Sequence, residues 1–591
     1  MNNFRSKSFE LLGVIYKDEA LKRAERIFSS LYERWQAQRI RRETVLSEKD
    51  VILIAYGDSI ISEEDKPLKT LKRFLDKHCR EEITNVHLLP IYPSTSDDGF
   101  SVANYRQIDE KLGDWDNIEE LSKDYGLMLD AVVNHSSKSH HWFKACLEGV
   151  EAYRDYYIAA DPNADYSQVT RPRTSPLLTK FQTVEGEKYY WTTFSEDQVD
   201  LNYANPQVLA EVMDVLLFYA AKGAKFIRLD AIGFIYKKLG TSCMHLKETH
   251  AIVKLMRLVL EEFFPGTYLI TETNVPHAEN ISYFGDGDEA HLVYQFPLPP
   301  LVLFSLQKGD ATKLTRWAQS LEATPLNKDN TYFNFLASHD GVGVRPAEGI
   351  LSQEEMAFLL QTVTENGGKI SYKVNPDGSK SPYELNISYM DGITNPSRDK
   401  EERYKRFMAS QAIMLSLQGV PGIYYHSLLG SGNWYDDVTQ LTEEKQGIRD
   451  EAPSWSPDRK KIVFTRNNKL WLLDLDSKEE QELAIPFPEL SCYYPRWSPD
   501  GKKIAFIGGN LIDQDIYVMD LQTGETTPIT DDGHLKRSLL WTPDGKKLVY
   551  GYFEDSSDFY WIEPDGKNKE KLTDGECDYY QLEWLPMSVE N

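Results

Sequence analysis

Cysteine is scarce: the 591 residues hold five, Cys79, Cys146, Cys243, Cys492 and Cys577. They are odd in number and scattered, with no Cys-x-x-Cys pair and no histidine at zinc spacing, which excludes a disulfide framework and a structural zinc site. Positive charge is also short. Lys and Arg total 66 against 92 Asp and Glu, a net charge of −26, which argues against nucleic-acid or anionic-membrane binding. Any anionic ligand must therefore meet a local cationic pocket in an acidic body. No apolar run approaches the roughly 18 residues of a membrane span. The N-terminal stretch MNNFRSKSFELLGVIY has neither the apolar core nor the small-residue cleavage site of a signal peptide. A cytoplasmic location, with no cofactor and no metal, is the expectation.

What is present is ample material for cores. Hydrophobic residues make up 41% and aromatics 12%, and the length predicts about two to four domains. Residues 1–48 read as helical, with Leu11, Leu12, Ile15, Leu21, Ile27, Leu31 and Trp35 on a charged background. Eight short apolar runs follow within 49–438: VILIAYGDS, NVHLLPIYPS, GLMLDAVVNH, AKFIRLDAIGF, TYLITETNVP, EAHLVYQFPLPP, TYFNFLASHD and GVPGIYY. Amphipathic stretches such as 117–123, 206–221 and 250–263 separate several of them. Continuous apolar strands alternating with helices predict a parallel sheet covered on both faces. Eight of them predict closure into a (β/α)8 barrel. A long excursion at about 136–198, rich in Tyr, Pro and Arg, interrupts the barrel between strands three and four, as functional loops do.

Asp230, Glu272 and Asp340 each stand just past the end of such a strand. A barrel gathers the C-terminal ends of its strands on one face, so three distant carboxylates can share one pocket. Cleaving a glycosidic bond with retention needs one carboxylate as nucleophile and another as proton donor. Arg228 alternates onto the same strand face as Asp230 and is expected to keep that carboxylate ionised by a charge-assisted hydrogen bond.

Beyond 438 the composition changes. Trp455, Trp497, Trp541 and Trp584 recur at spacings of 42, 44 and 43 residues, the first three each before an SPDGKK-like turn. That period reads as propeller blades, and the repeats resemble the propeller of TolB-like proteins. About three and a half blades are visible in 439–591, short of the four to eight of an ordinary ring. A propeller of this kind implies a surface for a protein partner.

The motifs DAVVNH, FIRLDAIGF, ITETN and ASHDG, in that order, resemble glycoside hydrolase family 13 and its sucrose phosphorylase subfamily. STSDDGFSV, RPRTSPLLTKFQ, TETNVPHAENISYFG and NPDGSKSPYELNISYMD are more similar to the glucosylglycerate phosphorylases. The resemblance covers residues 1 to about 438. It implies Asp230 as nucleophile, Glu272 as general acid/base, and Asp340 with His339 holding sugar hydroxyls. It implies Asp97 and His135 as further hydroxyl partners and Phe100 packed on the sugar. Arg171 and Arg173 match an acceptor site that binds phosphate or a carboxylate. Tyr383 and Glu384 match the loop lining that site, where sucrose phosphorylases carry Gln in place of Glu384. The implied reaction converts an α-glucoside and phosphate into α-glucose 1-phosphate. Sucrose, glucosylglycerol, plain hydrolysis, or an inactive barrel carried by a propeller stand as alternatives. The family's closing INR arginine, eighth helix and β-sandwich are not recognisable; Arg449 falls in propeller-type sequence.

Overall fold

The computed structural model describes residues 2–40, 45–62, 64–173, 175–324, 326, 329–374, 379–433, 441–442, 450–510, 513–553 and 557–573. The chain divides into two compact units, Met1–Trp434 and Tyr435–Asn591.

The first unit is built on a closed eight-stranded barrel, all strands parallel and each beside its sequence neighbour. Its strands are β1 Ile52–Ala55, β2 Asn85–Leu88, β3 Gly126–Ala131, β4 Ala224–Leu229, β5 Tyr268–Thr271, β6 Leu292–Tyr294, β7 Thr331–Phe335 and β8 Val420–Tyr424. All eight apolar runs supply one strand each. They are buried almost throughout because helices such as Pro67–His78, Trp115–Ser122, Pro206–Ala221 and Lys247–Phe263 cover the outside. The N-terminal residues form two helices, Asn2–Ile15 and Asp18–Trp35. Leu12, Phe28, Leu31 and Trp35 are buried and join the barrel's own core. Trp35 Nε1 donates to Asp214 Oδ1 at 2.7 Å, and Tyr16 Oη donates to the Tyr203 carbonyl at 2.9 Å. The excursion after β3 holds a three-stranded antiparallel sheet of Ala159–Ala160, Leu178–Thr183 and Gly186–Trp191. A five-residue helix, Tyr425–Leu429, follows β8. The segment where the eighth helix is expected, Arg449 included, lies largely outside the described residues.

This excursion is tied to the barrel by a buried cation. Lys237 Nζ, 4% exposed, pairs with Asp200. It also donates to Asn134 Oδ1 at 2.6 Å and the Phe234 carbonyl at 2.5 Å. Asp200 in turn accepts from Thr193 N at 2.8 Å and Thr193 Oγ1 at 2.7 Å. Burial lowers the Lys237 pKa, with Asp200 opposing. Removing one partner of such a pair strands the other charge. Lys237→Met is therefore expected to cost about 3–5 kcal/mol in urea unfolding, and adding Asp200→Asn should recover part of it. A loss within error of zero would contradict the pairing.

The second unit contains, among the described residues, three antiparallel four-stranded sheets in simple sequential order. They span Asp450–Glu482, Ser491–Pro528 and Leu535–Lys571. The turn between the first two strands repeats. Ser456, Ser498 and Thr542 each donate to the Asp two residues on, at 2.6 Å. Each also accepts from the backbone N–H five residues on, at 2.9, 2.8 and 3.0 Å. This turn needs a left-handed residue, met by Gly501 (φ 71°) and Gly545 (φ 68°) but by Arg459 (φ 58°) in the first sheet. A side chain there is strained, so Arg459→Gly is expected to stabilise this unit by about 0.5–1 kcal/mol, read as a higher thermal midpoint. The fourth repeat, with Trp584, lies outside the described residues.

Candidate active site

Side-chain alternation along β4 sends Arg228 and Asp230 to the same side. Register pairs Arg228 with Asp130 on β3, so a guanidinium and a carboxylate meet inside the barrel. Arg228 Nη1 donates to Asp130 Oδ1 at 2.5 Å and to Asp230 Oδ1 at 2.9 Å, and its Nε donates to Tyr294 Oη at 3.1 Å. Arg228 Nη2 stands 4.0 Å from Glu272 Oε2. One cation thus faces three carboxyl groups. Asp130 takes the largest share: despite complete burial, Arg228 and then His87, at 2.7 Å, hold its pKa down at about 2. Burial pushes Asp230 above the ordinary aspartate value, with Arg228 opposing. Burial outweighs the guanidinium there, while Arg228 still favours the ionised form. Glu272 receives least from Arg228, and burial raises it to about 7.

Backbone strain accompanies this arrangement. Ala231, next to Asp230, has φ 45° and ψ 32°, a conformation that costs an alanine on the order of 1 kcal/mol. It aims the Ala231 N–H at Glu272 Oε2, 2.9 Å away. Asp97, Asp98 and Gly99 likewise run through positive φ, at 56°, 46° and 104°. A side chain at Gly99 would meet Pro90 at 2.9 Å, so the turn that presents Asp97 and Phe100 requires this glycine.

Two connected cavities open over the strand ends. The inner one, of about 150 Å³, is lined by Asp97, Phe100, His135, Arg228, Asp230, Glu272, His339, Asp340, Arg173, Tyr383 and Glu384. Phe100 and His339 stack at 4.8 Å and 10° on its wall. Asp340, 48% exposed, turns toward His339 at 3.4 Å. Asp97 is exposed and accepts from Gln198 Nε2 at 2.8 Å. His135 is not an open donor: Nε2 meets the Phe100 carbonyl at 2.9 Å, and Nδ1 meets Asn134 at 3.2 Å. Glu384 is buried, and burial followed by Asp340 raises its carboxyl to about 7, with Arg173 opposing.

The outer cavity is larger, about 670 Å³, and includes Arg171, Arg173, Arg345, Lys373, Glu272 and Tyr383. Arg171 is exposed and donates to the Ser175 carbonyl. Arg173, Phe194, Ala231, Glu272, Asn274 and Tyr383 line both spaces. Asp230 borders only the inner one, and Glu272 stands at the junction. All twelve residues singled out in the sequence reach one cavity or the other. Sequence reasoning missed Asp130, Tyr294, Gln198, Arg345 and Lys373. For Asp130 the signal was there, in the alternation of GLMLDA; Arg345 and Lys373 carry none.

Comparison with known proteins agrees with this geometry. The alpha amylase catalytic domain matches residues 81–364, and the TolB beta propeller domain matches residues 437–588. A glucosylglycerate phosphorylase of Allomeiothermus silvanus is 53% identical over 433 residues, 72% of this chain and 76% of the relative. The chain belongs to the glucosylglycerate phosphorylase family. Another member, from Escherichia coli, is 49% identical over 403 residues, 68% of this chain and 72% of that protein. The sucrose phosphorylase of Streptococcus mutans is more distant, at 27% over 457 residues, 73% of this chain and 90% of that one. The crystal structure of a sucrose 6F-phosphate phosphorylase from Thermoanaerobacter thermosaccharolyticum shares the fold. It has a TM-score of 0.59 and 21% identity, covering 82% of this chain and 98% of that one. The barrel and the propeller expected from the motifs are both present. Among the described residues no helix is long and apolar enough to cross a membrane.

Proposed function

We propose that the protein is a retaining α-glucoside phosphorylase that converts 2-O-α-glucosylglycerate and phosphate into α-glucose 1-phosphate and glycerate. The observation that carries this reading is the placement of Glu272 where the two cavities meet, with Asp230 in the inner cavity and cations in the outer one. Asp230 attacks the anomeric carbon as the bond to the glycerate oxygen breaks. Glu272, protonated near neutral pH, delivers its proton to that oxygen. A covalent β-glucosyl ester on Asp230 results. A phosphate oxygen then attacks the same carbon, the ester bond breaks, and ionised Glu272 takes up the phosphate proton.

Asp340 and His339, with Asp97 and Phe100, hold the glucosyl unit, His135 supports the Phe100 segment through its carbonyl, and Arg228 orders the carboxyls. Arg173, with Arg171, supplies fixed positive charge for phosphate, which gives it an advantage over water. Tyr383 and Glu384 shape the acceptor side. We assign catalysis to residues 49–438 and interaction with a protein partner to 439–591. The four described cysteines are free thiols, which suits the reducing cytoplasm.

The test is release of glucose 1-phosphate by the full-length chain from glucosylglycerate, glucosylglycerol and sucrose, with and without phosphate. Glucosylglycerate is expected to be the best donor, with strict phosphate dependence. Free glucose released regardless of phosphate would leave a hydrolase instead.

A further inference from the structure

Arg345 and Lys373 come from separate segments and are brought together by a small sheet. Val342–Gly343 pairs with Lys380–Asn386, placing Gly343 opposite Glu384, and Val344 N donates to the Tyr383 carbonyl at 3.0 Å. On the other edge Lys369–Val374 pairs with the same strand, placing Lys373 opposite Ser381. Arg345 and Lys373 therefore flank the Ser381–Pro382 stretch, just before Tyr383, from its two sides. Both line the outer cavity.

Both are half-buried, and among the described residues neither has a carboxylate within ion-pair distance. Glu348 is near enough to influence Lys373, yet burial and the neighbouring Arg345 charge leave the Lys373 pKa lowered. The Arg345 Nε is buried with no hydrogen-bond partner. Two like charges held together and uncompensated, in a chain of net charge −26, are unfavourable unless an anion joins them. They are also distinct from Arg173, which borders the inner cavity as well.

We infer that Arg345 and Lys373 form a second anion position, which recognises the carboxylate of the acceptor, while phosphate is met by Arg173 beside Glu272. This deepens the phosphorylase reading and rests on it. The pair shares the outer cavity with Glu272, so an acceptor whose hydroxyl meets Glu272 can turn a carboxylate toward it. A neutral polyol of similar length gains nothing from them, so the pair sets the preference for glycerate over glycerol.

The full chain, Arg345→Gln and Lys373→Gln are titrated calorimetrically with D-glycerate, glycerol and inorganic phosphate, glucose being present. Each substitution is expected to weaken glycerate about tenfold or more, the effect of losing one charge-assisted hydrogen bond. Phosphate should weaken by less than about threefold, which also shows that the variants are folded, and Arg345→Lys should recover part of the glycerate affinity. Phosphate weakened as much as glycerate would make the pair the phosphate site and overturn the inference. So would unchanged glycerate binding, or none by the unsubstituted chain. Failure of the phosphorylase reading looks different: glycerate binds through the pair, but no donor yields glucose 1-phosphate.

Discussion

Replacing Asp230 with Asn should leave the folded chain able to bind its donor but reduce turnover by about 10⁴-fold or more, the scale seen when a covalent nucleophile is removed. The amide keeps the shape and can still accept from Arg228, so the inner cavity is preserved. It cannot form the glucosyl ester, and neither Asp130 nor Glu272 can replace it. Asp130 borders neither cavity and is committed to Arg228 and His87. Glu272 stands on the acceptor side. The loss should be as severe with α-glucosyl fluoride as with the natural donor, because the nucleophile is needed whatever leaves. A second readout follows from the shared guanidinium. The Asp230 charge raises the Glu272 pKa, so in the variant Glu272 should titrate lower than about 7. Turnover within tenfold of the unsubstituted chain would remove Asp230 from the mechanism.

The parts of this protein that could be read from its residues are those set by local repetition. Barrel strands are buried on both faces, so they stand out as continuous apolar runs, and their ends mark where Asp230 and Glu272 must lie. Propeller turns repeat a hydroxyl, an Asp and a left-handed position. Contacts made by register across the fold are another matter. Lys237 stands beside Lys238, and its burial against Asp200 is visible only once the excursion is folded. Asp230 reads as a carboxylate that Arg228 keeps ionised. Only the pairing of Asp130 with Arg228 reveals a guanidinium shared among three carboxyls. Arg345 and Lys373 sit in unremarkable polar stretches, and only the pairing of Lys369–Val374 with Lys380–Asn386 sets Lys373 opposite Ser381. His135 was legible as a site residue from DAVVNH, but its engagement by Phe100 and Asn134 was not.

Glu272→Gln carries the second large effect, and its pattern matters more than its size. A neutral amide cannot protonate the glycerate oxygen, so phosphorolysis of glucosylglycerate should fall by about 10²–10⁴-fold. Fluoride leaves without a proton, so ester formation from α-glucosyl fluoride should keep most of its rate. The same logic fixes the pH dependence. The glucosylation step needs Glu272 protonated, and burial holds that form up to about pH 7. With the natural donor, kcat/KM should therefore fall tenfold per pH unit above that point, while on the acid side it is limited by ionisation of Asp230, whose pKa burial raises. With α-glucosyl fluoride this alkaline limb should disappear. Glu384 is raised to the same region, so an alkaline limb alone does not single out Glu272. The two donors separate them, because a limb caused by Glu384 shaping the site would persist with fluoride. Equal losses on both donors, or a limb common to both, would make Glu272 a group that holds the cavity in shape rather than one that moves a proton.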